Sequence, residues 1–169
     1  MSAAVDRAAV KTATEGQFVT LAIEKEVFAV PVESVLEILD MRQASKIPEA
    51  PPYLLGLIDL RGRSIPVLDL RVKLGLPAVP PTETTRILVL EVAIAGRQLV
   101  LGLVADRVIE VMALRPEEIE PAPDIGVRWR SEYIMGVGHR DGRFVIIFNL
   151  ARLFSEEDTA ALLGTAAAA

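Results

Sequence analysis

The sequence contains an internal repeat, and this feature constrains the possible folds more than any other. When each residue i is aligned with residue i+80, the window 53–74 falls on 133–154 with five identical positions. These positions are Tyr53 with Tyr133, Gly56 with Gly136, Gly62-Arg63 with Gly142-Arg143, and Leu70 with Leu150. Composition alone gives about one or two identities over such a window. We therefore interpret the chain as a duplication.

A second offset extends the repeat towards the N-terminus. When each residue i is aligned with residue i+73, the segment 28–39 falls on 101–112. Two positions are identical in this alignment: Val35 with Val108, and Glu37 with Glu110. The two offsets differ by seven. The sequence therefore predicts a seven-residue insertion in the second copy, between Met112 and Tyr133.

The repeated segments are typical of β-strands. Short aliphatic runs alternate with turn residues, and aromatic residues make up only 5% of the chain. Arg61-Gly62-Arg63 and Asp141-Gly142 are both expected at hairpin tips. Helix signals are confined to the C-terminus, where Ser155 is a candidate N-cap. We predict two related β-barrels, because closure removes exposed edges, and expect them to pack together because each has a thin core.

The expected domain organisation follows from these patterns. One domain is predicted over 17–155, between a disordered tail at 1–16 and a C-terminal helix with a frayed tail at 156–169. The two subdomains are predicted to span about 28–82 and 83–150, completed by 17–27 and by the C-terminal segment. No run of apolar residues is long enough to be a signal peptide core or to span a bilayer, so we expect a cytoplasmic protein without membrane insertion.

Composition argues against most catalytic and metal-binding sites. The 169 residues include no cysteine and a single histidine, His139, which removes thiol chemistry and every two-histidine metal site. Gly136-Val137-Gly138 begins like a dinucleotide-binding loop, but a strand-like segment follows instead of a helix. The net charge of −5 gives no nucleic-acid footprint. We predict no catalytic residue, no cofactor and no metal.

Three residues have both a structural and a functional interpretation. His139 is expected to be an exposed hairpin residue, with a catalytic role as the alternative. Trp129, between Arg128 and Arg130, is either half-buried packing or an aromatic anchor at an interface. Arg61 is either a solvated turn residue or a fixed guanidinium presented to a partner, with Gly62 supplying backbone freedom.

The segment 56–71, with Leu60-Arg61-Gly62 followed by Pro66-Val67-Leu68-Asp69-Leu70-Arg71, closely resembles the signature of the CheW-type chemotaxis coupling proteins. Similar matches lie at 28–38, at Lys46-Ile47-Pro48, at 101–106 and at 121–123, so that the resemblance covers about 16–160. Asp59 departs from the family pattern, in which asparagine is commoner. The resemblance implies a mainly β fold of two five-stranded SH3-like barrels.

The same resemblance implies a non-enzymatic adaptor. Such proteins link methyl-accepting chemoreceptor tips to the regulatory domain of the CheA histidine kinase in receptor arrays. By match to the family motif, the partner-binding residues are expected to be Val35, Glu37, Leu60, Arg61, Gly62 and Val111, with Arg61 and Glu37 paired. Two alternatives remain: a coupling protein of a non-flagellar chemosensory pathway, and a small-molecule-binding or hydrolytic β-barrel that uses carboxylates and His139.

Overall fold

A computed structural model describes residues 16–94, 96–121 and 133–153 of the chain. They form eleven β-strands and one short α-helix. The elements are β1 (Gly16–Ile23), β2 (Glu26–Pro31), β3 (Val35–Asp40), β4 (Leu54–Leu60), β5 (Arg63–Asp69), α1 (Leu70–Lys73), β6 (Arg86–Ile94), β7 (Arg97–Ala105), β8 (Arg107–Leu114), β9 (Ile119–Glu120), β10 (Ile134–Arg140) and β11 (Arg143–Phe148). Single 3₁₀ turns cover Val32–Ser34 and Pro116–Glu118.

The strands form two curled sheets, which confirms the mainly β prediction. The sheet of the first barrel has five strands in the order β3-β6-β7-β5-β4. That of the second barrel has six, in the order β8-β1-β2-β11-β10-β9, and its sixth strand, β9, is only two residues long. Apart from this short addition, the number of strands agrees with two five-stranded barrels.

The strand register confirms both offsets of the repeat. The parallel pair β5–β7 sets Val67 opposite Gly102, and the parallel pair β11–β2 sets Ile147 opposite Ala29. Val67 and Ile147 are related by the offset of 80, and Ala29 and Gly102 by the offset of 73. One hydrogen bond is repeated as well: the Asp69 amide donates to the Tyr53 carbonyl at 2.7 Å, and the Asn149 amide to the Tyr133 carbonyl at 2.8 Å.

The structure divides the predicted seven-residue insertion into two parts. In the first barrel, Ser45 forms an isolated bridge with Leu57 of β4. In the second barrel, Glu120 of β9 takes the same place opposite Val137 of β10. Ser45 therefore matches Glu120 at i+75, which exceeds by two the offset of 73 that relates 28–39 to 101–112. Two inserted residues thus precede Glu120, near the 3₁₀ turn, and five follow it.

The predicted subdomain boundaries, 28–82 and 83–150, differ from the strand pairing. All five strands of the first barrel lie within 35–105, whereas the second barrel combines 16–31 with 107–148. Each barrel therefore takes one hairpin from the other copy of the repeat. A sequence repeat locates equivalent strands, but it does not say which copy each strand pairs with.

The largest apolar core lies between the barrels and belongs to both. It contains Phe28 and Phe148 of the second barrel, whose rings stack with centroids 4.8 Å apart, together with Leu68, Leu88 and other aliphatic residues of the first. Each barrel has only a small cluster of its own. The barrels therefore depend on each other for most of their buried apolar surface, as the thin-core argument predicts.

An ion-pair cluster, which we call the inter-barrel clasp, also joins the barrels through Glu24, Arg71 and Asp106. The Arg71 side chain is 9% exposed; its Nη2 lies 2.6 Å from Glu24 Oε1 and its Nη1 2.6 Å from Asp106 Oδ2. Arg71 Nε donates to the Pro77 carbonyl, and the Glu24 amide donates to Asp106. Glu24 belongs to the β1–β2 turn and Arg71 to α1, so the clasp connects the second barrel to the first.

The helix α1 was missed by the sequence prediction, which placed helix only at the C-terminus. It follows β5 directly and has just four residues, too few for an apolar periodicity. Its one signal is Asp69, the N-cap, whose Oδ1 accepts from the Arg71 amide at 3.0 Å. Gly16, assigned to the tail, begins β1. The predicted C-terminal helix at 156–169 and the rest of the N-terminal tail lie outside the described residues.

We expect replacement of Asp69 by asparagine to change the pH dependence of stability. Burial raises the pKa of Asp69 above its ordinary value of 3.8, against opposing hydrogen bonds from the Arg71 and Val72 amides. The native state therefore holds this proton more tightly than the unfolded state, so the stability contribution of Asp69 is lost as pH rises through the raised pKa.

Asparagine keeps the cap without the charge. The free energy of unfolding of Asp69→Asn, relative to that of the original protein, should therefore increase from pH 3.5 to pH 7, so that the variant becomes relatively more stable. Urea titrations at several pH values measure this difference. A difference that stays constant with pH would show that the Asp69 carboxyl does not contribute in this way.

Among the described residues, no helix has the length and apolar character needed to cross a membrane.

Candidate functional site

The hairpin tip between β4 and β5 holds Arg61 in an uncommon backbone conformation. Arg61 has φ 53° and Gly62 has φ 83°, and Leu60 pairs with Arg63 on either side. Two positive φ values in a two-residue loop are typical of a type I′ turn, which suits the twist of paired strands. Gly62 adopts a positive φ without steric cost, whereas a residue with a Cβ such as Arg61 rarely does. The pairing of Leu60 with Arg63 keeps both residues in this turn, so the backbone at the tip has a defined conformation.

Arg61 forms a bidentate ion pair with Glu37 of β3. Nη1 lies 2.7 Å from Glu37 Oε2, and Nη2 lies 2.9 Å from Oε1. This confirms the expected pairing of the two residues. Because β3 and β4 are the two end strands of the first sheet, the pair bridges the opening of the barrel. The Ser45–Leu57 bridge closes the same opening further along β4.

The ion pair fixes both charges at an exposed surface. The Arg61 side chain is 72% exposed and that of Glu37 is 29% exposed. The hydrogen bonds from Arg61 lower the pKa of Glu37, and those to Glu37 raise the pKa of Arg61. Both side chains therefore stay charged at neutral pH. Exposed pairs contribute little to stability, so the main effect of this one is to orient the guanidinium.

The second barrel repeats the backbone of this site but not its charges. Asp141 has φ 52° and Gly142 has φ 74°, almost as at Arg61 and Gly62. The residue matching Glu37 is Glu110, and both strands carry a bulge at the same place. Two carboxylates thus replace the arginine and glutamate of the first barrel. The ion pair is a property of the first barrel alone.

The other predicted site residues lie at different places. Leu60 is half-buried and packs on the small core of the first barrel. Val35, two residues before Glu37 on β3, is half-buried against the shared core. Val111 is 56% exposed on β8 of the second barrel, paired with Val19. The structure thus brings Glu37, Leu60, Arg61 and Gly62 together at the opening of the first barrel and places Val111 on the second.

Sequence reasoning missed the exposed apolar residues beside these positions. Leu36 and Ile38 on β3 are 53% and 44% exposed, and Ile109 precedes Val111 by two residues on β8. When i is aligned with i+73, Leu36 matches Ile109 and Ile38 matches Val111. The repeat therefore carries two equivalent apolar strand surfaces, and this signal was present in the aligned segments.

The remaining sequence-based candidates fall elsewhere. His139 lies on β10, half-exposed, with its ring edge-on to Phe144 at 4.7 Å between centroids. Gly136-Val137-Gly138 lies within the same strand. Trp129 lies outside the described residues. Over the part of the chain that the structure describes, no three acidic or histidine side chains are grouped so that they could hold a metal ion.

A bidentate, exposed ion pair and two exposed apolar strand surfaces are features of a protein that acts by binding others. The class that this fold and site define is therefore the scaffolding adaptors.

Comparisons with known proteins specify this class further. Residues 17–158 match the family model of the CheW-like domain. The chain is 33% identical to a probable chemotaxis protein CheW of Rhizobium etli over 155 residues, covering 90% of this chain and 97% of that protein. It is 34% identical to the chemotaxis protein CheW of Klebsiella aerogenes, covering 87% of each.

A solved structure agrees with these sequence relatives. The crystal structure of the scaffolding protein TtCheW from Thermoanaerobacter tengcongensis is similar to this chain with a TM-score of 0.74 and 30% identity, over 83% of this chain and 92% of that one. The chain belongs to the CheW-like family. It is a non-enzymatic adaptor of chemotaxis signalling.

Proposed function

We propose that this chain couples methyl-accepting chemoreceptor tips to the regulatory domain of a CheA-type histidine kinase, within cytoplasmic receptor arrays. The contact residues of this proposal are Val35, Glu37, Leu60, Arg61, Gly62 and Val111. The observation that carries it is the bidentate Glu37–Arg61 pair, which presents a guanidinium in one orientation at an exposed hairpin tip.

The chemistry around the pair supports a helical partner. Leu36 and Ile38 flank Glu37 on β3 and are exposed, so an apolar helix face has a surface on which to pack. Glu37 uses two of the five guanidinium N–H donors of Arg61, and the remaining donors of this exposed side chain can bind acceptors on the partner. In the family, the receptor tip is a helical hairpin, which has the right shape for such a contact.

Assembly in arrays suits contacts of modest size. A single exposed arginine and a few apolar side chains give a weak interaction, and repetition of the contact in an array raises its effective strength. Receptor signals then bias kinase packing through the adaptor, which changes populations without carrying out chemistry.

Replacement of Arg61 by glutamate is expected to weaken binding by about tenfold or more to a receptor signalling fragment, to the kinase regulatory domain, or to both. The substitution removes the guanidinium and places a second carboxylate beside that of Glu37. Stability should change by no more than about 0.5 kcal/mol, since the side chain is exposed. Pull-down and calorimetric titration with each partner separately measure the effect.

Two further variants make this test specific. Arg63→Glu changes the same charge two residues away, outside the pair, and should bind nearly as the original protein does. The double exchange Glu37→Arg with Arg61→Glu restores an ion pair with the two charges exchanged. Its affinity for the partner should stay low, because the proposed contact requires an arginine at position 61. Normal binding by Arg61→Glu would remove Arg61 from the site, and failure of the original protein to bind either partner would refute the coupling function.

A further inference from the structure

Strand β8 carries the apolar residues Ile109 and Val111, which are 38% and 56% exposed. It lies at an end of its sheet and, in the described part of the chain, pairs with β1 alone. The register between the two strands shifts at Thr20 and Leu21, which leaves Ile109 without a partner on β1. Because a bulge interrupts the hydrogen bonds of the ladder, the presentation of Ile109 and Val111 depends on what fixes the backbone between them.

A buried hydroxyl fixes this stretch of backbone. Thr20 Oγ1 donates to the Glu110 carbonyl at 2.9 Å, and the Glu110 amide donates to the same Thr20 oxygen at 3.1 Å. Thr20 is only 1% exposed, and a buried hydroxyl costs free energy unless it is hydrogen-bonded. Both of its hydrogen bonds go to one residue of β8. Thr20 therefore holds the two peptide groups that flank Glu110 against β1.

The first barrel holds the equivalent bulge in another way. Its register leaves out Leu36, and the residue opposite Glu37 is Val89. Valine differs from threonine by a methyl group in place of the hydroxyl, so the shared fold does not itself require a hydroxyl at this position. In the first barrel the side chain of Glu37 is bound by Arg61 instead, through the bidentate ion pair.

That ion pair has no equivalent in the second barrel. The residue matching Arg61 is Asp141, whose carboxylate cannot form an ion pair with that of Glu110. Thr20 binds the backbone of Glu110 rather than its side chain. The two barrels therefore fix the same bulge by different means, and in the second barrel the hydroxyl of Thr20 takes the place of the ion pair.

We propose that Thr20 is a positioning residue for the partner surface of the second barrel. Its side chain is too buried to touch a partner, but it fixes the backbone that presents Ile109 and Val111. This role rests on the function proposed above, in which Val111 contacts a partner. A surface already held in its binding conformation loses less entropy on association, so removal of the hydroxyl weakens binding although no exposed side chain changes.

Amide hydrogen exchange tests whether Thr20 fixes the bulge. Thr20→Val removes the hydroxyl, and the Glu110 amide should then exchange about tenfold faster, as expected for the loss of one hydrogen bond. Thr20→Ser keeps the hydroxyl and should exchange nearly as the original protein does. Amides of β6 and β7 in the first barrel should not change, which separates a local effect from a loss of global stability. Unchanged exchange of the Glu110 amide in Thr20→Val would overturn the proposal.

Calorimetric titration with a receptor signalling fragment and with the kinase regulatory domain tests the consequence for binding. Val111→Ser identifies the fragment that contacts this surface. Thr20→Val should weaken binding of the same fragment by about three- to tenfold, whereas Thr20→Ser should bind it nearly as the original protein does. When Thr20→Val is combined with Val111→Ser, little further affinity should be lost, because the hydroxyl acts through that surface.

Thr85→Val is the matched control. Thr85 is also buried, and its hydroxyl accepts a hydrogen bond from the Thr82 amide at 2.8 Å in the turn before β6, so its loss should leave binding unchanged. Full binding by Thr20→Val of the fragment that Val111→Ser weakens would overturn the positioning role alone. Undiminished binding of both fragments by Val111→Ser would refute the proposed contact at Val111, and with it the role of Thr20.

Discussion

Replacement of Arg71 by methionine is expected to reduce the free energy of unfolding by about 3 kcal/mol, the lower end of the range for breaking a buried ion pair by removing one partner. Methionine fills much of the arginine's volume, so the loss comes from the charges that remain. Asp106 and Glu24 would face each other without the guanidinium that now lies 2.6 Å from each. Both are partly exposed and can regain water, which keeps the effect below the upper limit.

Urea denaturation of the Arg71→Met variant measures the loss. Arg63→Met is the matched control, since Arg63 is exposed at a hairpin end of the same barrel and should change stability by less than about 0.5 kcal/mol. A small effect at Arg71, similar to that at Arg63, would mean that the shared apolar core holds the barrels together without the clasp.

Replacement of Gly56 by alanine is expected to have an effect of similar or greater size, about 3–5 kcal/mol. The Cβ of an alanine would lie 2.1 Å from the Ser45 carbonyl oxygen, and Gly56 has φ +144°, which L-residues rarely adopt. Backbone strain of this kind costs about 1–3 kcal/mol. Moving Ser45 away also breaks its two hydrogen bonds with Leu57, at about 1 kcal/mol each.

Gly62→Ala is the control for this prediction. Gly62 also has a positive φ, +83°, but nothing lies within 4 Å of the Cβ position, so only the conformational cost of about 1–2 kcal/mol is expected. The difference between the two variants in denaturant midpoint isolates the close approach at Ser45. Equal losses of stability in the two variants would show that moving Ser45 away from Leu57 costs no additional free energy.

The sequence predicted the elements better than their assembly. The repeat located equivalent strands correctly, because each copy keeps its turn residues and its pattern of apolar residues. It failed at the subdomain boundaries because strand partners are chosen by packing over long separations, which local patterns do not encode. The helix α1 escaped notice because its four residues cover little more than one helical turn, which is too short to show a periodic pattern of apolar residues.

The candidate site was predictable in a similar, partial way. Turn chemistry placed Arg61 at a hairpin tip, but its pairing with Glu37 came from the family resemblance, since the two residues are 24 positions apart and their elements do not form a hairpin. The clasp was not predicted: Arg71 was part of the recognised motif, yet its role depends on Glu24 and Asp106, which reach it from two other parts of the chain. Leu36 and Val111 are exposed because β3 and β8 are end strands of their sheets, and the sequence does not show which strands lie at a sheet end.

The exchange of hairpins between the copies has a consequence for synthesis on the ribosome. All strands of the first barrel have been synthesised once residue 105 has been added, so its sheet can pair before the second barrel is complete. β2 is made before all of these strands except β1, but its parallel partner β11 follows more than a hundred residues later. Until then the nascent chain exposes an apolar hairpin together with the face of the first barrel that will bury it. Before residue 148 is added, this unpaired apolar surface therefore favours aggregation of the nascent chain.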